Sequence, residues 1–241
     1  MEVTITMILF GSIVNACLII IGALLGRFLS NIPERMKETV MYGIGLAVAA
    51  IGIQMTFEST QILIVIISIV IGAIIGEWMN LDDKINGLGK WIEKKLPSKK
   101  EGPGIAQGFV TATLIFVVGS MAIIGAIDSG LRNDHDVLIM KGIIDGFTSV
   151  ILSSTLGIGV MIAAVPVFLY QGLITIFSTQ ISRFVPDELL QFFISEMTAT
   201  GGLMIVGIGL NLIGITKIRV ANLIPGIAVV AVIVTIVHFL F

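Results

Sequence analysis

The chain has 241 residues, of which 56% are hydrophobic and 12% charged, and its mean hydropathy is +1.07. Soluble domains carry roughly 25% charged residues, so the composition excludes a soluble globular protein, and runs of about 20 apolar residues suit helices that cross a bilayer. A formal net charge of −2 with no separate basic module argues against a nucleic-acid partner, and Cys17 as the single cysteine excludes an internal disulfide or a thiolate cluster.

The first span, Met7–Leu29, lacks the basic leader and cleavage site of a signal peptide and is expected to remain as a helix. It carries Asn15 and closes on IIGALLGRFL (Ile20–Leu29). The second and third spans are Val40–Phe57 and Ile62–Met79, the third closing on the similar VIGAIIGEWM (Val70–Met79). Gly22 and Gly26, like Gly72 and Gly76, lie one helical turn apart, so close helix packing is their expected role.

The next connection is the main hydrophilic segment. Leu81, Ile85, Leu88, Ile92 and Leu96 recur at steps of three and four, with the lysines elsewhere and Trp91 suited to the headgroup region. Residues 81–101 are therefore expected to hold an amphipathic helix on the inner leaflet, ended by Pro97. A partner-binding helix is the alternative.

The fourth span, Phe109–Ile127, opens near Thr111-Ala112-Thr113. Asp128, Asp134, His135 and Asp136 follow in a loop, but their spacing matches no calcium loop and no metal site is expected. The fifth and sixth spans are Val137–Leu156 and Val160–Phe177. The seventh and eighth are Phe192–Ile215 and Leu223–Phe239, with His238 near an interface. The runs are continuous, without the period-two alternation of barrel strands. The expected fold is an all-α polytopic transmembrane helical bundle of about eight spans, a single transmembrane domain over residues 1–241.

Orientation follows from basic residues, which are in excess on cytoplasmic loops. Arg27, Arg35 and Lys37 lie in the first loop, Lys84, Lys90, Lys94, Lys95, Lys99 and Lys100 in the third, and Lys217 and Arg219 in the seventh. These are eleven of the 14 basic residues, so both termini are expected outside and the loop over 80–108 inside.

Asp145 is the sharpest polar feature. It lies about nine residues, or roughly 13 Å, into its span, where an ionised carboxylate costs at least ~3 kcal/mol. Ser149 and Ser153 share its helix face, which must look into the bundle or a wet cavity. Asp145 is read as a cation, proton or substrate ligand, and the alternative is a structural pair with Lys141 one turn away. In the seventh span, Glu196, Thr200 and the pair Gly201-Gly202 suggest a helix break that coordinates an ion or substrate. Close packing with an interfacial Glu196 is the competing account. Asn211 and Asn15 fit hydrogen bonds across helices.

Thr111-Ala112-Thr113 resembles Thr198-Ala199-Thr200, and Ile143-Ile144-Asp145-Gly146 resembles Leu223-Ile224-Pro225-Gly226. The matched hairpins are separated by three helices, so they would form an inverted-topology repeat of the kind found in secondary transporters. No HExxH, GxSxG, paired-cysteine or Walker pattern occurs, so neither enzymatic activity, an ATPase nor a cofactor is expected.

The segments GSIVNACLIIIGALLG (Gly11–Gly26), KGIIDGFTSVILSSTLGIGV (Lys141–Val160) and GLNLIGITKIRVANLIPG (Gly209–Gly226) resemble the YdfK/YqgA-type family of bacterial integral membrane proteins. The resemblance covers the whole chain and implies a bacterial inner-membrane location, while supplying no binding residues. A small secondary transporter or channel-like protein is expected, with the lipid bilayer, an unidentified small solute or ion and a second copy of the chain (a homodimer) as partners. The alternative is a non-transporting sensor, assembly factor or lipid-binding scaffold.

Overall fold

The computed structural model describes residues 7–28, 34–87 and 105–240. Among them are seven helices long and apolar enough to cross a membrane, or eight when one bent pair is counted as a span, and no strand. The chain is a helical membrane bundle. Of the amphipathic segment, residues 81–87 are helical, whereas Leu88, Trp91, Ile92, Leu96 and Pro97 lie outside the described residues.

The chain divides into two compact units, a division the sequence reading does not draw. The first comprises Met1–Ile32 and Lys95–Pro186, the second Pro33–Lys94 and Asp187–Phe241.

The first unit contains α1 (Phe10–Phe28), α4 (Ile105–Val117), α5 (Ser120–Arg132), α6 (Asp136–Leu156), α7 (Gly159–Ile162), α8 (Ala164–Ile176) and α9 (Ser178–Phe184). The second contains α2 (Glu34–Thr56), α3 (Ile62–Met79), α10 (Asp187–Ile213), a 3-10 turn (Val220–Leu223) and α11 (Pro225–Leu240).

Helices in lipid gain nothing by hiding leucine from leucine-like tails, so they turn small and polar residues inward. On α3, Ser68, Gly72 and Gly76 are buried while Leu63, Ile66, Ile67, Val70 and Ile74 are exposed. On α1, the buried face is Gly11, Ser12, Asn15, Ile19, Gly22, Ala23 and Gly26.

Glycine sets the closest approaches. In the first unit, a Cβ at Gly22 would overlap the Gly146 carbonyl and one at Gly26 the Val150 carbonyl, so α1 and α6 run parallel. In the second, Gly72 meets Gly226 and Gly76 meets Asn222, so α3 and α11 run antiparallel. Gly45 and Gly209 face one another across α2 and α10, as do Gly52 and Gly202, again antiparallel.

The two sequence similarities thus share a packing role: each GAxxG segment crosses the helix that carries Gly146 or Gly226. Their local geometry differs, because Asp145 sits mid-helix whereas Pro225 opens α11. The hairpins matched by sequence fall in separate units.

Of the two readings of Gly201-Gly202, a helix break or close packing, the helix shows close packing. α10 runs unbroken through both glycines, because Gly202 serves contact: a Cβ there would come 2.7 Å from the Gly52 carbonyl oxygen. Breaks occur elsewhere, between α4 and α5 and between α6 and α7.

Substituting Gly76 or Gly22 by leucine should destabilise the protein by about 1–3 kcal/mol or more through overpacking. Gly43→Leu, with no atom within 4 Å of the added Cβ, should be tolerated. Thermal denaturation in detergent measures the contrast, and equal losses at all three positions would contradict this packing.

Candidate functional site

α6 turns Lys141, Gly142, Asp145, Gly146, Ser149 and Ser153 inward, and Met140, Ile143, Ile144, Phe147 and Ile151 outward. One helical turn separates Lys141 from Asp145. Their side chains are 8% and 6% exposed, and Nζ lies 2.5 Å from Oδ2. The candidate aspartate is therefore held in a buried, charge-neutral pair.

α1 brings Asn15 to the same place, its side chain approaching the Asp145 carboxylate. Asn15 Nδ2 donates to Gln171 Oε1 of α8 at 3.2 Å. Glycine permits this meeting, since a Cβ at Gly142 would lie 3.0 Å from the Asn15 Cα. Ser12 Oγ, Asn15 Oδ1, Ser149 Oγ, Gln171 Nε2 and Thr175 Oγ1 are buried with no hydrogen-bond partner. Such groups are uncommon in protein interiors because each carries an uncompensated desolvation cost. Ser153 has a structural partner, donating to the Ala23 carbonyl at 2.8 Å.

The span expected as one helix over Phe109–Ile127 is broken. α4 and α5 meet at Val118-Gly119 with a bend of 62°. Gly119 has φ 140, a conformation other residues rarely adopt, and α5 begins without a side-chain cap. Gly108 packs against Leu156, and Gly125 packs against Val137 and Leu138. These two contacts flank the stretch of α6 that carries Lys141 and Asp145.

Phe116, Val118 and Ala122 flank the break in the interior, while no atom lies within 4 Å of a Cβ placed on Gly119. Non-helical backbone at membrane depth is tolerated where protein buries it or it lines a polar cavity. The sequence carried a signal for this break in Gly119-Ser120, and one for Gln171 as a lone amide in an apolar span.

The remaining candidates lie in the second unit, where Glu196 and Asn211 have their own partners. Glu196 is fully buried and accepts four hydrogen bonds: from Ser59 Oγ at 2.7 Å, Thr60 N at 2.8 Å, Thr60 Oγ1 at 2.9 Å and Gln61 N at 2.9 Å. It ties down the turn before α3 and supplies acceptors to the start of that helix. Asn211 fixes the next connection, donating to the Ile218 carbonyl and accepting from Thr216 Oγ1 and Ile218 N. Thr200 and Gly201 are buried in α10, with Thr200 Oγ1 unpartnered.

Within the last turns of α5, Asp128 pairs with Arg132 at 3.6 Å, and in the connection that follows Asp134 accepts from Asp136 N and His135 Nδ1 meets Ser129 Oγ of α5 at 2.6 Å. His238 stacks edge-on against Phe239.

At the end of α3, Glu77 binds Arg219 and Asn222, each at 2.6 Å, and Asn222 accepts from Asp82 N. Burial pushes the Asp82 carboxyl above its ordinary 3.8, helped by Asp83 and Glu77 and opposed by Arg219 and Asn86.

Two outcomes follow from these contacts. Lys141→Met should cost about 3–5 kcal/mol by leaving a buried charge unpaired, and adding Asp145→Leu should recover most of it. Denaturation midpoints in detergent read this, and a double variant no better than the single would contradict a mutually dependent pair. Native Asp82 binds its proton more tightly than the unfolded chain, so ionised Asp82 costs stability at neutral pH. Asp82→Asn should raise the midpoint at neutral pH, the gain fading as pH falls through the native pKa and below 3.8. A gain that persists in acid would contradict this assignment.

A model of the family described as "Protein of unknown function (DUF554)" matches residues 10–235. The uncharacterized membrane protein YdfK of Bacillus subtilis (strain 168) is 32% identical over 235 residues, covering 95% of this chain and 97% of that protein. The uncharacterized protein YqgA of Escherichia coli (strain K12) is 26% identical over 221 residues, covering 90% of this chain and 92% of that protein. No solved structure matches. With the match running through nearly every described helix, the chain belongs to the DUF554 family of membrane proteins.

Proposed function

We propose that this chain is a small secondary transporter or channel-like protein of the bacterial inner membrane, whose solute or ion passes the α4–α5 break beside Lys141 and Asp145. The observation that carries this proposal is a discontinuous span whose two arms pack on α6 to either side of the stretch that holds a buried ion pair, all within one unit. Ionisable residues inside a bilayer are rare and usually mark ion or substrate pathways. Broken helices near the midplane supply free N–H groups at one half-helix end and carbonyls at the other, and transporters use both as ligands.

The second unit adds a scaffold of matching kind. Its helix α2 packs antiparallel on α10, and α3 packs antiparallel on α11. Glu196 and Asn211 serve to hold its connections rather than to bind cargo.

Reconstitution into lipid vesicles tests the proposal. Trapped pyranine would follow protons, radiolabelled sodium and rubidium would follow cations, and stopped-flow swelling in glycerol or urea would follow neutral solutes. Wild-type protein should move at least one probe faster than protein-free vesicles, and Gly119→Val should abolish that movement. No probe moving above background would overturn transport and favour a scaffold.

A further inference from the structure

We propose that the Lys141–Asp145 pair is a proton-exchange site, reached along a file of buried polar side chains from the end of the first unit where α1 begins. The proposal rests on the transport reading and names its ion.

The pair occupies its own site. A hard cation takes several oxygen ligands, but the Lys141 ammonium already sits on the Asp145 carboxylate. Asn15 Oδ1 and Ser149 Oγ are the unpartnered oxygens on the same stretch. That is too few for a dehydrated metal ion beside a resident positive charge. A proton needs neither a cavity nor a ligand shell.

Its bookkeeping is simple. A proton arriving on an Asp145 oxygen converts ammonium–carboxylate to ammonium–carboxylic acid. A proton leaving Lys141 Nζ converts it to amine–carboxylate. Either step changes the charge of the pair by one and breaks no bond between heavy atoms.

The break adds polar ends to this part of the unit. The carbonyl end of α4 and the N–H end of α5 fall between the contacts that flank this stretch of α6, carrying partial negative and partial positive charge respectively. Few other charges compete. Among the described residues packed on α6, α1 offers Arg27 in its last turn, and α4, α7 and α8 offer no charged side chain apart from the Tyr170 phenol. α5 has only Asp128 and Arg132, which pair with each other near its end.

The file follows from three helix faces. Ser12 precedes Asn15 by one turn on α1, and Thr175 follows Gln171 by one turn on antiparallel α8. Both lead toward the end where Ser129 Oγ meets His135 and where Ser178 is buried beside Gly130. On the other side, Ser149 and Thr113 of α4 are unpartnered, while Ser153 and Thr155 are committed to the Ala23 and Leu152 carbonyls. The groups that succeed one another at helical-turn spacing, from Asn15 to Ser12 and from Gln171 to Thr175 and Ser178, lie on the α1-start side of the pair.

Two measurements on the full chain test this. Pyranine-loaded vesicles held at fixed potential with valinomycin should show proton movement that Asp145→Asn abolishes and that Ser12→Ala/Thr175→Val slows several-fold with Asp145 intact. Infrared difference spectra of the wild-type protein should show a carboxylic-acid C=O band that grows on acidification, shifts with isotopically labelled aspartate and is missing in Asp145→Asn. Movement of sodium, rubidium or a neutral solute without protons would overturn proton exchange and leave transport standing. No movement of any probe would overturn both. Absence of a pH-dependent aspartic band in the wild-type protein would overturn the exchange site whatever the fluxes show.

Discussion

Lys141 Nζ and Asp145 Oδ2 meet 2.5 Å apart inside a unit built to sit in lipid, and hydrocarbon offers neither of them another partner. That constraint shapes the helices around them. The ion pair can persist only if α6 turns it away from lipid, so α6 shows Ile143, Ile144 and Phe147 outward and crowds α1 on its inner face. Crowding demands residues without side chains at the contact, which Gly22, Gly142 and Gly146 supply. The close approach in turn brings the Asn15 amide to the carboxylate and links it to Gln171. Removing either charge would leave the other without compensation, so pair, glycines and amides stand or fall together.

The second unit solves the same problem by a different use of a carboxylate. Glu196 is satisfied by two hydroxyls and two backbone N–H groups from one turn. Its acceptor capacity is committed to fixing α3. Asp145 differs in having a cationic partner on its own helix and unpartnered polar atoms around it. The two buried carboxylates thus differ in their partners, Glu196 being held by a turn between helices and Asp145 by a cation on its own helix.

The helical bundle and the spans were legible in the sequence because lipid exposure writes long apolar runs directly into composition. Asp145 stood out for the same reason, as did the alternative of pairing with Lys141. The role of Gly22, Gly26, Gly72 and Gly76 as contact points followed from spacing alone. What spacing could not say is which helix each would meet, and so it could not reveal two units assembled from interleaved segments. Gly201-Gly202 misled because adjacent glycines permit both a break and a close crossing, and tertiary contact with α2 decides for the crossing. The real break at Gly119 was masked by the hydrophobic residues on either side, which keep the run apolar throughout. Gln171 was overlooked because a single amide in an apolar span carries no pattern until its partner is known.

The central claim is that the span over Ile105–Arg132 is interrupted at Val118-Gly119, between its two contacts with the helix that carries the ion pair. Amide hydrogen exchange in lipid nanodiscs, resolved by residue, tests it most directly. The account predicts fast exchange at Gly119, Ser120 and Met121, whose N–H groups lie at the start of a helix, with protected amides a turn or more to either side. Uniform protection from Leu114 to Gly125 would show a continuous helix and contradict it.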